Sequence, residues 1–305
     1  MTQQAIDVMI VGGTGFIGRR LTDRLRHVQQ EASAPAWSGH VISLSSRDCN
    51  LLNSQQSREK LATTSSTTTI IMCAGISRRA GDSWSLFQTN LTMVHNLLRA
   101  LRDREPRSIV FLSSTDVYGL PTTELPLTET SLPRPTTYYG LAKLACENMF
   151  HIGSSPSCPV TILRLPGIYG STDAGRSIVG SFCRRLSAQQ AVQLSGGGYV
   201  TRDFVHVDDL CSLMEALVVS PLQTTLNVAT GNSMMVADVA SRVAQQLQLP
   251  AAVAADLLAA TPRTSDRDHD LAFDPQLLRT SFPHISLRTI AAGIQAYLEE
   301  LPQVS

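Results

Sequence analysis

Gly12-x-x-Gly15-x-x-Gly18 stands directly behind the apolar run 6–11 and directly ahead of residues 19–28, a stretch of helical composition. Strand, glycine turn and helix in that order leave few folds open. Glycines permit the tight turn and let backbone N–H groups approach a pyrophosphate at the positive end of the helix. At the third position a glycine also lets helix and strand pack closely. The pattern therefore predicts a dinucleotide-phosphate site at Gly12, Gly15, Phe16, Ile17 and Gly18. An ordinary strand-to-helix turn can show the same spacing, but the flanking elements set this one apart.

Further short apolar runs follow at 41–44, 70–74, 108–112 and 160–165. They alternate with helix-capable stretches, among them 54–61 and the helical spacing of Leu91, Val94, Leu98 and Leu101. The Ser/Thr tract 63–69 reads as a polar loop leading into the third strand. Apolar strands without polar alternation, separated by amphipathic helices, predict an α/β fold with a doubly wound parallel sheet of the Rossmann type. Past residue 165 the chain is richer in glycine and loop residues, and 226–229 and 236–247 predict a smaller mixed α/β C-terminal lobe. The expected division is a cofactor-binding domain at 1–165, rejoined by 205–230, and a substrate-binding lobe at 166–204 and 231–305.

Composition narrows the partners. The 305 residues carry 25 Lys+Arg against 25 Asp+Glu, so no charge excess points to nucleic acid or an anionic membrane. Cys49, Cys73, Cys146, Cys158, Cys183 and Cys211 are scattered without a C-x-x-C pair, which writes neither a metal site nor a disulfide framework. The N-terminal apolar run lacks a basic flank and meets glycines too early for a signal peptide or a membrane span. A cytoplasmic protein with a small-molecule ligand is expected.

The end of the second strand bears on which nicotinamide cofactor fits. A carboxylate there accepts hydrogen bonds from a ribose 2′-hydroxyl and repels a 2′-phosphate. Leu44-Ser45-Ser46-Arg47 offers hydroxyls and a guanidinium instead, so Ser45 and Arg47 point to NADP(H). Asp48 is one residue further on, and a shift of the strand end by one position would favour NAD(H).

Tyr139-Gly140-Leu141-Ala142-Lys143 places a phenol and an ammonium on one face of a helix. The ammonium can lower the phenol's pKa and make it a general acid or base near neutral pH. Upstream, Ser113-Ser114-Thr115-Asp116-Val117-Tyr118-Gly119 ends a strand at the edge where open α/β sheets bind ligands, and a serine there can hold a carbonyl or alkoxide oxygen. With the glycine turn, Cys73-Ala74-Gly75, Asn90, Glu147, Arg164-Leu165-Pro166-Gly167-Ile168-Tyr169-Gly170 and Arg202-Asp203-Phe204-Val205-His206-Val207-Asp208-Asp209, these motifs run in order along the chain. Over nearly its whole length the chain resembles an extended short-chain dehydrogenase/reductase of the nucleotide-sugar epimerase, dehydratase and reductase group.

The resemblance implies roles. Ser114, Tyr139 and Lys143 would be catalytic, with Asp116 beside them. Asn50, Leu51, Cys73, Ala74, Gly75, Asn90, Pro166 and Ile168 would join the cofactor site. Arg202 would contact the substrate diphosphate, Arg263 with Asp266 would form a C-terminal nucleotide contact, and Arg78 and Gly167 would reach the substrate pocket. The helices at 91–101 and 141–149 would form a homodimeric bundle. There are departures: Gly167 stands where the family often has asparagine, and residues 50–53 (Asn-Leu-Leu-Asn) replace the usual aspartate beside the adenine. Thr115 stands where family dehydratases carry the first of two acids, which makes dehydration the least expected reaction. The reading is NADPH-dependent reduction of a 4-keto-6-deoxy nucleotide sugar. An NAD-dependent epimerase is one alternative, and a catalytically silent nucleotide-binding sensor or scaffold is another.

Overall fold

Apolar strands buried on both faces need a sheet with helices on either side, and the computed structural model has one. It describes residues 4–31, 37–120, 125–194, 198–260 and 269–301. The chain divides into two units, the first from 1–119, 132–164 and 211–226, the second from 120–131, 165–210 and 227–305.

The first unit is built on six strands: β1 Asp7–Val11, β2 Val41–Leu44, β3 Thr68–Met72, β4 Ser108–Ser114, β5 Val160–Leu165 and β6 Thr224–Asn227. Their spatial order is β6-β5-β4-β3-β1-β2. The β1–β2, β1–β3 and β3–β4 pairs are parallel, with Val11 opposite Leu44 and Met72, and Met72 opposite Phe111. The chain steps to opposite sides of β1 when it adds β2 and β3, so the crevice at the carboxyl end of β1 is the switch point where such sheets take ligands.

Four helices of this unit matter for the site: α1 Phe16–Glu31, α2 Ser54–Lys60, α3 Trp84–Leu101 and α4 Tyr138–Gly153. Met9, Ile70, Met72, Ile109, Phe111 and Ile162 meet Val94, Leu97 and Leu101 of α3 and Cys146 and Phe150 of α4. Val8, Ile10, Ile71, Val110 and Leu163, one residue out of phase, are equally buried. Both sheet faces are therefore covered, which is why the strands show no polar alternation. Side-chain caps set where helices begin. Ser83 accepts the Leu86 N–H to start α3, and Thr137 accepts the Gly140 N–H to start α4, which puts Tyr139 in the first turn.

One expectation needs correction. Thr68 and Thr69 are strand, not loop: both are buried in β3, and the Thr69 and Ser108 hydroxyls bond across to each other at 3.0 Å. Threonine's branched Cβ suits a strand, and the cross-strand partner satisfies its hydroxyl.

The second unit holds short strand pairs, Gly167–Tyr169 parallel to Phe204–His206 and Val192–Leu194 parallel to Leu258–Ala260. Helices Ile178–Ser187, Val236–Gln246 and Ile290–Glu299 share a core that includes Tyr169, Phe182, Val239, Val243 and Ile294. Residues 120–131 belong here because Leu127 N–H donates to Ala272 O and Asp274 N–H to Leu127 O, at 2.8 and 2.9 Å. Among the described residues no helix is long and apolar enough to cross a membrane.

Candidate active site

The glycine turn is fitted against its neighbours. Leu44 O accepts the N–H groups of both Gly12 and Gly13, at 2.9 and 3.0 Å, and Val11 O accepts those of Cys73 and Ala74, at 2.9 and 2.8 Å. Gly12 has φ +91°, and a Cβ there would stand 2.6 Å from Ala74 N. A Cβ at Gly18 would collide with Gly12 O, whereas one at Gly15 would meet only that oxygen, at 3.3 Å. Gly12 and Gly18 thus close the turn, and Gly15 leaves an open face to the crevice.

That crevice is a cleft of about 240 Å³ in the first unit. Gly12, Gly15, Ser45, Asn50, Leu51, Cys73, Ala74 and Gly75 line it, together with Val11, Thr14, Ser46, Cys49 and Met93, which the sequence reading did not single out. Glycine backbone at a helix start, hydroxyls at the end of β2 and an apolar floor fit a dinucleotide. Phe16, Ile17 and Gly18 open α1 and lie outside the lining, and Arg47 lies outside it too. Asn90 stands behind the lining as well: its Oδ1 accepts the Ile76 N–H at 2.9 Å, and its Nδ2 donates to the Ile76 and Leu86 carbonyls. It braces the loop after β3 rather than facing the cleft.

The end of β2 differs from the sequence picture in one respect. Asp48 folds back so that its Oδ2 accepts Ser45 N–H at 2.9 Å and Ser45 Oγ–H at 2.6 Å. These two bonds hold its carboxyl below the usual range. The serine hydroxyl chosen as a phosphate ligand therefore already serves a carboxylate.

Ser114, Tyr139 and Lys143 do come together. Ser114 ends β4, and its Oγ accepts the Asp116 N–H at 3.1 Å, while its hydroxyl is near enough to the Tyr139 phenol to favour ionisation there. Lys143, one turn along α4, is buried and donates to Leu112 O at 2.7 Å, with Nζ 5.9 Å from the Tyr139 ring centroid. Burial lowers the Lys143 pKa. Burial and the nearby Asp116 carboxylate push the Tyr139 phenol up to about 12, against the lowering effect of Ser114. The phenol therefore keeps its proton at neutral pH. Asp116 pairs with Arg78, Nη1 to Oδ2 at 3.4 Å.

Below this group lies a feature whose geometry no motif announced. Glu147, one turn beyond Lys143, pairs with Arg164 of β5 through Oε1–Nε at 3.2 Å and Oε2–Nη2 at 2.8 Å. Glu147 also accepts from Ser113 Oγ at 2.5 Å, and Arg164 Nη1 donates to the Tyr118 hydroxyl at 3.0 Å.

Of the residues assigned to the substrate, Arg78 and Ser114 lie in the first unit, and Gly167 and Arg202 in the second. Arg202 Nη1 donates to the carbonyls of Thr201 and His269, at 2.8 and 2.5 Å. A Cβ at Gly167 would stand 2.8 Å from Cδ1 of Phe204, so the asparagine that the family resemblance implies there would require that ring to shift. Pro166 and Ile168 flank it. Arg263 and Asp266 lie outside the described residues. Asp203, buried, accepts from Thr230 N–H, Thr230 Oγ1 and Gly231 N–H, while Asp209 holds Arg288 at 2.8 Å. These acids of the Arg202–Asp209 segment are structural.

Residues 8–229 match the model of the NAD dependent epimerase/dehydratase family. The dTDP-L-rhamnose 4-epimerase of Burkholderia thailandensis is 33% identical over 125 residues, 39% of this chain and 34% of that relative, so the aligned part spans about a third of its length. The dTDP-6-deoxy-L-talose 4-dehydrogenase (NAD(P)(+)) of Kitasatospora kifunensis is 27% identical over 248 residues, 74% of each chain. Among solved structures, a UDP-glucose 4-epimerase with UDP-glucose from Thermotoga maritima shares the fold at a TM-score of 0.81 and 17% identity, covering 96% of this chain and 98% of that one.

Proposed function

Because the chain belongs to the NAD-dependent epimerase/dehydratase family, and so is an enzyme of the extended short-chain dehydrogenase/reductase type, we propose that it reduces the 4-keto group of a nucleotide-linked 6-deoxy sugar with NADPH. The observation that carries this reading is the Tyr139 phenol beside Ser114, with Lys143 Nζ 5.9 Å from its ring centroid and no carboxyl at Thr115. Dehydration needs an acid to protonate a departing hydroxyl, and Thr115 supplies none. Reduction needs one proton, and Tyr139 holds one.

When bound, the nicotinamide cofactor supplies the hydride. Tyr139 gives its proton to the carbonyl oxygen as that oxygen becomes an alkoxide, and Ser114 holds the developing charge. Lys143 carries the positive charge that favours the tyrosinate left behind. The Kitasatospora relative is by its name a 4-dehydrogenase of a dTDP-6-deoxy sugar, which supports the substrate class. Arg47 supports NADPH: among the described residues its guanidinium has no ion-pair partner. The chain acts as a homodimer through α3 and α4, where Trp84, Tyr138 and Leu141 are exposed.

Asp48 favours a second reading. A carboxylate folded onto Ser45 suits a ribose hydroxyl, and with it an NAD-dependent 4-epimerase, the activity named for the Burkholderia relative. Fluorescence titration with NADPH and NADH, together with the cofactor content of the purified protein, separates the two. NADPH preference with an empty site leads to a panel of 4-keto nucleotide sugars. Retained NAD makes the epimerase the function.

A further inference from the structure

Asp116 is an odd neighbour for a tyrosine that must give up a proton. Its negative charge opposes ionisation of the phenol, and Lys143 Nζ donates to Leu112 O rather than to this carboxylate. The group that reaches Asp116 is Arg78, from the segment joining β3 to α3.

That segment is fastened on either side of Arg78. Before it, Asn90 grips both backbone groups of Ile76, at 2.9 and 3.2 Å. After it, Gly81 turns the chain at φ +126°, and Asp82 Oδ1 accepts the N–H of Tyr139 itself at 3.0 Å. Arg78 is thus carried on the strap that also fixes the backbone of Tyr139. Asp116 is fixed in the same way, by its own N–H on Ser114 Oγ and by Gly140 of α4, where any Cβ would collide with the Asp116 carbonyl. Two loops anchored to one catalytic turn bring the guanidinium and the carboxylate together.

Resting on the reading of Tyr139 as proton donor, we propose that Arg78 is a positioning residue for charge: it acts through Asp116, offsetting that carboxylate's field at the phenol, and not by holding the substrate diphosphate. The charge that acts on the phenol is Asp116, from the turn after β4; Arg78 of the strap pairs with it, Asp82 of the strap accepts the Tyr139 N–H, and Lys143 Nζ of α4 stands 5.9 Å from the ring centroid. Glu147, further along α4, is already matched by Arg164, and burial keeps the Cys73 thiol protonated. Asp82 is spent on a backbone N–H.

The test uses wild type, R78Q, R78K, D116N and R78Q/D116N, saturated with NADP+ and labelled with 13C at tyrosine Cζ. Y139F identifies the resonance. The Tyr139 titration should move up by about half a unit to one unit in R78Q, a shift expected for one charge a few ångströms away across a partly hydrated gap. It should move down in D116N. The double variant should titrate like D116N, because Arg78 has nothing left to offset, and R78K should titrate close to wild type. With an active substrate in hand, the ionisation limiting kcat/KM should follow the same order.

Identical titrations in all these proteins overturn the proposal. So does a rise in KM from R78Q that is equally large in the D116N background with the titration unmoved, since that is the signature of a diphosphate ligand. The titration reads Tyr139 without turnover, so failure to find any reducible nucleotide sugar would count against the proposed function alone.

Discussion

Glu147 and Arg164 form a buried two-point ion pair two turns along α4 from Tyr139, with side chains only 4% and 7% exposed. Glu147 lies on the same helical face as Tyr139 and Lys143, at successive spacings of four. Removing one partner strands the other charge, so E147A or R164A should each lose about 3–5 kcal/mol of stability. A double replacement by methionine should cost less than the sum of the two losses. Chemical denaturation checks both statements. Equal, additive losses would mean that the pair does not act as a unit.

Tyr139, Ser114 and Lys143 make separable contributions if the proposed chemistry holds. Y139F removes the transferable proton and should cut kcat by about 10²–10⁴-fold. S114A removes one hydrogen bond to the developing oxyanion and should cost about 10²–10³-fold. Y139F should not lower Tm appreciably, because Tyr139 is half-buried, whereas S114A also gives up the cap that accepts the Asp116 N–H and should cost about 1 kcal/mol. Steady-state kinetics with Tm measured in parallel decides. A large drop in Tm would recast either residue as structural.

The glycines of the turn should respond differently to alanine. G18A drives a methyl into Gly12 O and should destabilise the first unit by about 1–3 kcal/mol. G15A meets Gly12 O only at 3.3 Å, so it should leave Tm near that of wild type while weakening dinucleotide binding about tenfold or more. Calorimetry and cofactor titration on the two variants test the distinction. Weaker binding in G18A with unchanged Tm would contradict it.

His206 should make the second unit sensitive to acid. Burial and the Arg288 charge lower its pKa, and its ring packs edge-on against Tyr169 at 5.2 Å. Below about pH 6.5 the unfolded chain takes up a proton that the folded chain refuses, so stability falls as pH drops through that value. Tm should therefore fall between about pH 7.5 and pH 5.5, and H206Q should show a smaller fall over that window. An unchanged slope in H206Q would exclude the residue as the cause.

Patterns read along one element were legible in the sequence, and those formed between elements were not. The glycine turn, the part-buried strand Val41–Leu44, the buried strand Val160–Leu165, and Tyr139 with Lys143 each lie within one stretch governed by a period or a turn rule. Thr68 and Thr69 escaped because a run of hydroxyl residues looks like loop, although branched threonines favour strands once a partner such as Ser108 takes the hydroxyl. The Glu147–Arg164 pairing spans α4 and β5, and Arg78 with Asp116 spans 38 residues, so no local spacing could join them. Asp48 was noticed, but which way its carboxylate turns depends on a three-residue fold-back that composition does not specify.

The glycine turn has a consequence for assembly of the sheet. Gly12 is closed off by Ala74 behind β3, Gly13 by Ser43 of β2, and Gly18 by the turn's own carbonyl. Leu44 and Val11 each offer one oxygen to two successive N–H groups, which match only when those three strands finish level. A sheet with β2 or β3 slipped by one residue would bring the wrong atoms to every one of these contacts, and α1 could not seat. The cofactor turn therefore also serves as a gauge of strand alignment: a chain that has closed it has already rejected the misaligned sheets.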